Sequence, residues 1–172
     1  MRVARDGTMT TQGAMANKSG HVFERMAVPV FEANGYLVVT WKQFCEHPLD
    51  RCAVRDVPFV NVYGSQSRTE FVIADGDRRI RVECKFQTSG GSVDEKFPYM
   101  YLNSVLAYPE KEVVLIIDGD GYRPGARQWV IDRVNENWLG YKELGKSIRV
   151  MRLTQFTDWV NHGMPREDEQ LK

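Results

Sequence analysis

The pattern of apolar and polar residues along the chain predicts alternating helices and strands. Apolar residues recur at helical spacing over residues 18–34, where Gly35 provides a C-terminal stop and Pro29 predicts a kink or a break. The other expected elements are strands at 36–41, 57–63, 112–117 and 148–153, and helices from Pro98 to before Pro109, from Pro124, and from a Thr154 cap to Gly163. This order is typical of an α/β domain.

Two neighbouring segments predict a β-hairpin. Residues 69–75 (TEFVIAD) and 79–86 (RIRVECKF) both alternate in character, and the Asp-Gly-Asp-Arg sequence between them is typical of a tight turn. Because side chains alternate across a strand, Arg81, Glu83 and Lys85 share one face. The opposite face is apolar and carries Ile80, Val82, Cys84 and Phe86. The hairpin therefore sorts burial and charge onto separate faces.

The register of this hairpin decides how close its acidic residues lie. If Gly76 and Asp77 form the turn, Glu70 lies directly opposite Glu83, with Cβ atoms about 4.5–5.5 Å apart. If the turn lies one residue earlier, Glu70 faces Arg81 and is diagonal to Glu83, still within roughly 7–8 Å. An acidic cluster is expected with either register.

Two adjacent carboxylates repel each other unless one is protonated or a cation lies between them. Mg²⁺ takes oxygen ligands and keeps several waters, so Glu70, Glu83 and one backbone carbonyl would suffice to hold it. Lys85 can stabilise developing phosphate charge, or position and deprotonate an attacking water. From spacing alone, ordinary cross-strand ion pairs that also involve Arg81 are an equally good interpretation.

The succession of Glu70, a hairpin and Glu83-Cys84-Lys85 resembles the acid-x(n)-(D/E)-x-K signature of the PD-(D/E)XK nuclease superfamily. The resemblance covers about residues 20–130. It includes the opening GHVFE, where Glu24 matches a helix-one acid that assists metal binding. It also includes ECKFQTSGGSVDEKFPY, similar to the strand, loop and helix after the catalytic lysine in several restriction endonucleases and phage nucleases. Thr-Glu replaces the usual Pro-Asp at the first acid.

This resemblance implies a restriction-endonuclease-like αβββαβ core, with a mixed central sheet flanked by helices. It implies a DNA endonuclease of phage or restriction and recombination type that uses Mg²⁺ or Mn²⁺. Glu70 and Glu83 would be metal ligands together with the Cys84 backbone carbonyl, Lys85 the catalytic lysine, and Glu24 an additional acid that acts through water. The absence of Gln-x-x-x-Tyr after the lysine favours an endonuclease over a RecB-like exonuclease. A homodimer is expected, because cutting two strands needs two sites.

Several further residues are candidates for DNA contact by position or charge. They are Gln87, Lys96, Tyr99, Arg78 and Arg127. A competing site combines Glu83 with Asp118 and Asp120, as a Toprim-like phosphotransferase would, although Toprim proteins place a glycine after the glutamate. A third possibility is a catalytically inactive nuclease-like DNA-binding module, against which the intact acids and lysine argue.

Composition limits the remaining choices. The 172 residues are 42% hydrophobic and 27% charged, which fits one domain over residues 18–163 between a flexible tail at 1–17 and a charged tail at 164–172. No run approaches the roughly 18 apolar residues of a membrane helix, and three unpaired cysteines favour a reducing compartment, so a cytoplasmic protein is expected. Lys plus Arg equals Asp plus Glu at 23 each, so any affinity for DNA must come from a local patch.

Overall fold

A mixed six-stranded sheet forms the centre of the computed structural model, which describes residues 11–166 and the side chains of residues 22–166. The strands are β1 (Leu37–Thr40), β2 (Arg51–Val60), β3 (Gln66–Asp75), β4 (Arg78–Phe86), β5 (Glu112–Asp118) and β6 (Ser147–Met151). The helices are α1 (Thr11–Ala33), α2 (Trp41–Glu46), α3 (Phe97–Leu106), α4 (Ala126–Asn135) and α5 (Leu153–Asn161), with 3₁₀ helices at Val93–Lys96 and Trp138–Gly140.

The strands lie side by side in chain order. β1 and β2 are parallel, β2, β3 and β4 form an antiparallel meander, and β4, β5 and β6 are parallel. The expected α/β class, with a mixed sheet flanked by helices, is confirmed. Because β1, β2, β4, β5 and β6 all run in one direction, their carboxyl ends share one edge of the sheet, to which the β2–β3 loop also belongs.

Helices cover both faces of the sheet. α1 and α5 pack on the face that carries Phe71 and Val82, and α3 and α4 pack on the face that carries Val113 and Leu115. A smaller cluster lies under α2 on β2 and β3. Arg81, Glu83 and Lys85 pair in register with Val113, Leu115 and Ile117, so their side chains project on the α3 face. The α1 face of the hairpin is apolar, as predicted.

The hairpin adopts the first of the two registers considered. Asp75 pairs with Arg78, and Phe71 pairs with Val82, so Gly76 and Asp77 form the turn. Gly76 has a φ of 58°, which a two-residue hairpin turn requires and glycine adopts without steric cost.

Parts of the two predicted tails belong to ordered elements or pack on the domain. α1 begins at Thr11 rather than near residue 18 and continues through Pro29 without a break, because Phe23, Ala27 and Phe31 are buried against the sheet on both sides of the proline. At the other end Met164 is buried, so residues 164–166 pack on the domain. Residues 1–10 and 167–172 of the two predicted tails lie outside the described residues.

Three element boundaries in the interior also differ from expectation. Trp41 begins α2 instead of ending β1, because Thr40 and Gln43 form a reciprocal capping box. β2 begins at Arg51 rather than 57, since the residues from Cys52 to Val54 are buried beside β1 and β3. The N-cap of α5 is Arg152 rather than Thr154.

In residues 11–166 no helix combines the length and the apolar character that crossing a membrane requires. All three cysteines are free.

Candidate active site

Glu70, Glu83 and Lys85 form a compact cluster on the α3 face of the sheet. The Lys85 Nζ donates to Glu83 Oε1, lies 4.0 Å from Glu70 Oε1, and lies 3.1 Å from the Cys84 carbonyl oxygen. All three side chains are largely buried, with between 11% and 23% of their surface exposed. The lysine ammonium therefore lies among oxygens of the three groups that the family resemblance implies as metal ligands.

The register pairs between β3 and β4 end next to Glu70. The last β3–β4 pair before it is Phe71 with Val82, and beyond that pair the Glu70 Oε2 accepts a hydrogen bond from the Cys84 N–H at 2.9 Å. On the other side of β3 the residue opposite Glu70 is Asp56, whose φ of 54° lies in the left-handed region. Such a conformation costs a non-glycine residue about 1–3 kcal/mol and clusters at functional sites. Glu70 thus lies at a point where the regular register pairs of β3 are interrupted on both sides.

The electrostatics of the cluster indicate a deficit of positive charge. Burial and the charge of Glu83 raise the pKa of Glu70 to about 8. Burial alone would lower the pKa of Lys85, but the charges of Glu83 and Glu70 outweigh it, so the pKa is raised. The Glu83 Oε2 is buried and has no hydrogen-bond partner among the described residues. One lysine therefore does not satisfy both carboxylates.

These donors fit a hard divalent cation. Glu70, Glu83 and the Cys84 carbonyl offer only oxygen, and Mg²⁺ accepts such a partial set because it keeps several waters. In residues 22–166 no group of three or more His, Cys, Asp or Glu side chains is close enough to hold a metal. A metal at this cluster would consequently depend on the carbonyl and on water for its other ligands.

A buried arginine lies beside the acids and was not identified from the sequence as part of the site. Arg81 is 1% exposed, donates to both carboxylate oxygens of Glu110, and donates to the Thr69 hydroxyl at 2.9 Å. Its guanidinium carbon lies 5.4 Å from the centre of the Phe59 ring and 5.0 Å from that of Tyr108. Arg81 is thus a fixed internal cation two residues before Glu83, not a solvated surface charge.

A family model described as a PD-(D/E)XK nuclease superfamily domain matches residues 15–164. The chain belongs to the PD-(D/E)XK nuclease superfamily. Membership implies a phosphodiesterase that acts on nucleic acid, in a superfamily that typically uses divalent metal ions. No curated protein and no solved structure matched the chain.

The helix-one acid of the PD-(D/E)XK pattern, Glu24, contacts Arg55, with Oε1 and Nη1 2.5 Å apart. Arg55 pairs in register with Phe71, so it projects on the α1 face of the sheet, opposite the face of Glu83. Glu24 therefore contacts a residue of the α1 face. Its assistance to a metal through water stays a prediction.

Two of the candidate DNA contacts make hydrogen bonds within the protein, and their contact with DNA stays a prediction. Gln87 donates to the carbonyls of Ser89 and Gly121 and accepts from the Val93 N–H, so its amide holds the loop after β4 together. Arg78 begins β4, seven residues before Lys85 and therefore about 23 Å away along the strand. Its guanidinium binds both carboxylate oxygens of Glu112.

The other three candidates differ in their surroundings. Lys96 is exposed immediately before α3. Tyr99, in the first turns of α3, stacks on Tyr63. Arg127 donates to the Ile117 carbonyl at 3.2 Å and lines a cavity of about 850 Å³ between α4, β6 and α5. Only Lys96 and Tyr99 lie at the start of α3, on the helix that covers the site face.

Asp118 is in the wrong place for a Toprim-like site. It pairs in register with Phe86, so its side chain lies on the α1 and α5 face while Glu83 projects from the α3 face. Its carboxylate accepts from the Leu153 N–H at 2.7 Å and from Arg152, and so it fixes the start of α5. The strand-end Asp-Gly-Asp sequence therefore has a structural role, at least through Asp118.

Proposed function

We propose that this chain is a DNA endonuclease that hydrolyses phosphodiester bonds with Mg²⁺ or Mn²⁺ bound by Glu70 and Glu83. The observation that carries the proposal is the buried Oε2 of Glu83, which has no hydrogen-bond partner within residues 22–166 and lies beside a second carboxylate and a lysine. An ordinary solvated ion pair would leave that oxygen in water or bonded. A buried carboxylate oxygen without a donor is costly, and a metal ligand bond would satisfy it.

Each residue of the cluster has a distinct task in this proposal. Glu70 and Glu83 hold the cation with the Cys84 carbonyl, and the Cys84 N–H keeps the Glu70 carboxylate in place through its 2.9 Å hydrogen bond. A bound divalent cation supplies Lewis-acid activation of the phosphate and of the attacking water. The water oxygen forms a bond to phosphorus and loses a proton to solvent, the bond to the leaving sugar oxygen breaks, and that oxygen gains a proton from solvent.

Lys85 acts on phosphate charge in this proposal. The charges of Glu83 and Glu70 raise its pKa in the metal-free site, which favours the ammonium form. An ammonium donates hydrogen bonds and cannot accept the proton of the attacking water. From its position among the acids it can donate to a phosphate oxygen whose charge grows during the attack. Of the two roles that the sequence left open, electrostatic stabilisation is favoured over general-base catalysis.

DNA as substrate, endonucleolytic cutting and homodimerisation are proposed on different grounds. DNA and endonucleolytic cutting rest on the resemblance to restriction and phage nucleases around Glu83-Cys84-Lys85 and on the missing exonuclease motif. Two-strand cutting requires two active sites, and the cluster described above supplies one per chain. We therefore propose a homodimer.

The test is cleavage of two DNA forms, supercoiled plasmid and a duplex with a single-stranded overhang, by the purified protein with Mg²⁺, with Mn²⁺ and with EDTA. Lys85→Ala should reduce the cutting rate by about 10²-fold or more, the scale of a positioned electrostatic group. The matched control is Lys111→Ala, which removes an exposed lysine just before β5, at the opposite edge of the sheet. Failure to cut either DNA form with both metals, cutting that persists in EDTA, or full activity of Lys85→Ala would contradict the proposal.

A further inference from the structure

Two tyrosine rings stack on the surface at the edge of the sheet where β4 ends. Tyr63 lies in the β2–β3 loop and Tyr99 in the first turns of α3. Their ring centres are 5.3 Å apart and their planes differ by 15°, which is a parallel stack. Tyr63 is 77% exposed, the most exposed large hydrophobic residue described. The stack thus presents a ring to solvent and contributes little to the core.

The loop that carries Tyr63 is held rigidly by two asparagines. Asn61 accepts from the Tyr63 N–H at 2.9 Å and from the Ser65 N–H at 3.1 Å. Asn103, one turn of α3 beyond Tyr99, accepts from the Val62 N–H at 3.0 Å. These bonds tie the loop to α3 independently of the tyrosine rings. The exposed ring is therefore preorganised, and it is not needed to close the loop.

The tyrosine pair lies on the same side of the sheet as the acids. α3 packs on the face from which Glu83 and Lys85 project, and β4 runs towards the start of that helix. Glu70 comes four residues after Gln66, the first residue of β3, so it lies about 13 Å along the strand from the loop that carries Tyr63. A nucleic-acid strand with its phosphate at the acids can therefore reach the rings within a few nucleotides.

We propose that Tyr63 and Tyr99 form a stacking platform for an unpaired base, so that the substrate is DNA with a single-stranded segment next to the cut. This inference rests on the proposed function. Bases inside a duplex already stack on their neighbours, and only an unpaired nucleotide can place its ring on an aromatic side chain. The exposed Lys96 beside Tyr99 would contact the adjacent phosphate. Overhangs, flaps and junctions all offer such a base, whereas a blunt duplex does not.

The test measures binding in EDTA, where no cutting is expected, with DNA that carries the fluorescent base 2-aminopurine. The probes are a blunt duplex and the same duplex with a single-stranded overhang that contains the fluorescent base. The wild-type protein should quench the overhang probe and bind it more tightly than the blunt duplex. Tyr63→Ala and Tyr99→Ala should each weaken overhang binding roughly tenfold, within a range of about 5-fold to 150-fold.

Two controls separate stacking from stability. Tyr63→Phe keeps the aromatic ring and should keep both the quenching and the affinity. Leu144→Ala removes an exposed side chain before β6, at the opposite edge of the sheet, and should behave as wild type. Thermal unfolding of Tyr63→Ala should match the wild type closely, because Asn61 and Asn103 hold the loop.

The outcomes distinguish this inference from the proposed function. Equal binding of the two probes by wild type, or unchanged quenching and affinity in Tyr63→Ala and Tyr99→Ala, would overturn the platform even if plasmid is cut. Conversely, binding that depends on both rings would support the platform even if no metal produced cutting of plasmid or of the overhang duplex, a result that would reject the nuclease proposal alone.

Discussion

Replacing Glu110 with leucine should destabilise the fold by about 3–5 kcal/mol, because it leaves the buried charge of Arg81 without its partner. Arg81 is 1% exposed and donates two hydrogen bonds to Glu110, so the guanidinium cannot turn to water when the carboxylate is removed. Its remaining acceptors are the Thr69 hydroxyl at 2.9 Å and the Val57 carbonyl at 3.4 Å. For a domain of this size the loss corresponds to a decrease in Tm of about 6–20 °C.

The assay is urea and thermal unfolding of a double-mutant cycle. Replacing both partners, as Arg81→Met with Glu110→Leu, should restore most of the lost stability, since an apolar pair of similar volume carries no desolvation cost. High salt should change the wild-type value little, because buried pairs are poorly screened. A cost below about 1 kcal/mol for Glu110→Leu, or a double variant no more stable than Glu110→Leu, would refute the reasoning.

Two further predictions concern Glu70 and Asp118. Burial and the charge of Glu83 raise the pKa of Glu70 to about 8, so protons compete with Mg²⁺ for this carboxylate. Calorimetry should therefore show that Mg²⁺ affinity rises by up to about tenfold per pH unit below pH 8 and is constant above it. Glu70→Gln should abolish this pH dependence. Because this folded pKa lies above the unfolded one, the metal-free fold should be stabilised below the unfolded pKa and lose that stability as pH rises towards 8. Asp118→Ala should cost about 0.5–2 kcal/mol through the lost contacts at the start of α5, yet retain Mg²⁺ binding and plasmid cutting.

The hairpin shows how far local sequence determines the site. Strand alternation and the Asp-Gly-Asp-Arg turn fix which residues share a face, and so the proximity of Glu70, Glu83 and Lys85 followed from the sequence. The main strands and helices followed in the same way from their apolar periods. Of the two registers that the sequence left open, the structure has the one with Gly76 and Asp77 in the turn.

Other features have weak local signals. α2 is only six residues long, and its only local mark is the capping box of Thr40 and Gln43, which sequence reasoning missed. The contact of Arg81 with Glu110 spans 29 residues and depends on how β4 and the segment before β5 pack. The local sequence around either residue therefore does not predict the ion pair. The stack of Tyr63 on Tyr99 depends likewise on a loop meeting a distant helix. Such contacts are set by tertiary packing.

The central claim is that Glu83 binds the metal while Lys85 acts on the substrate. The most direct test measures Mg²⁺ binding by calorimetry, and cutting of plasmid and of the overhang duplex, on the same preparations of Lys85→Ala and Glu83→Ala. The account predicts that Lys85→Ala keeps most of its metal affinity and loses cutting by about 10²-fold or more, whereas Glu83→Ala loses both. Normal cutting by Lys85→Ala, or unchanged Mg²⁺ affinity in Glu83→Ala, would contradict it.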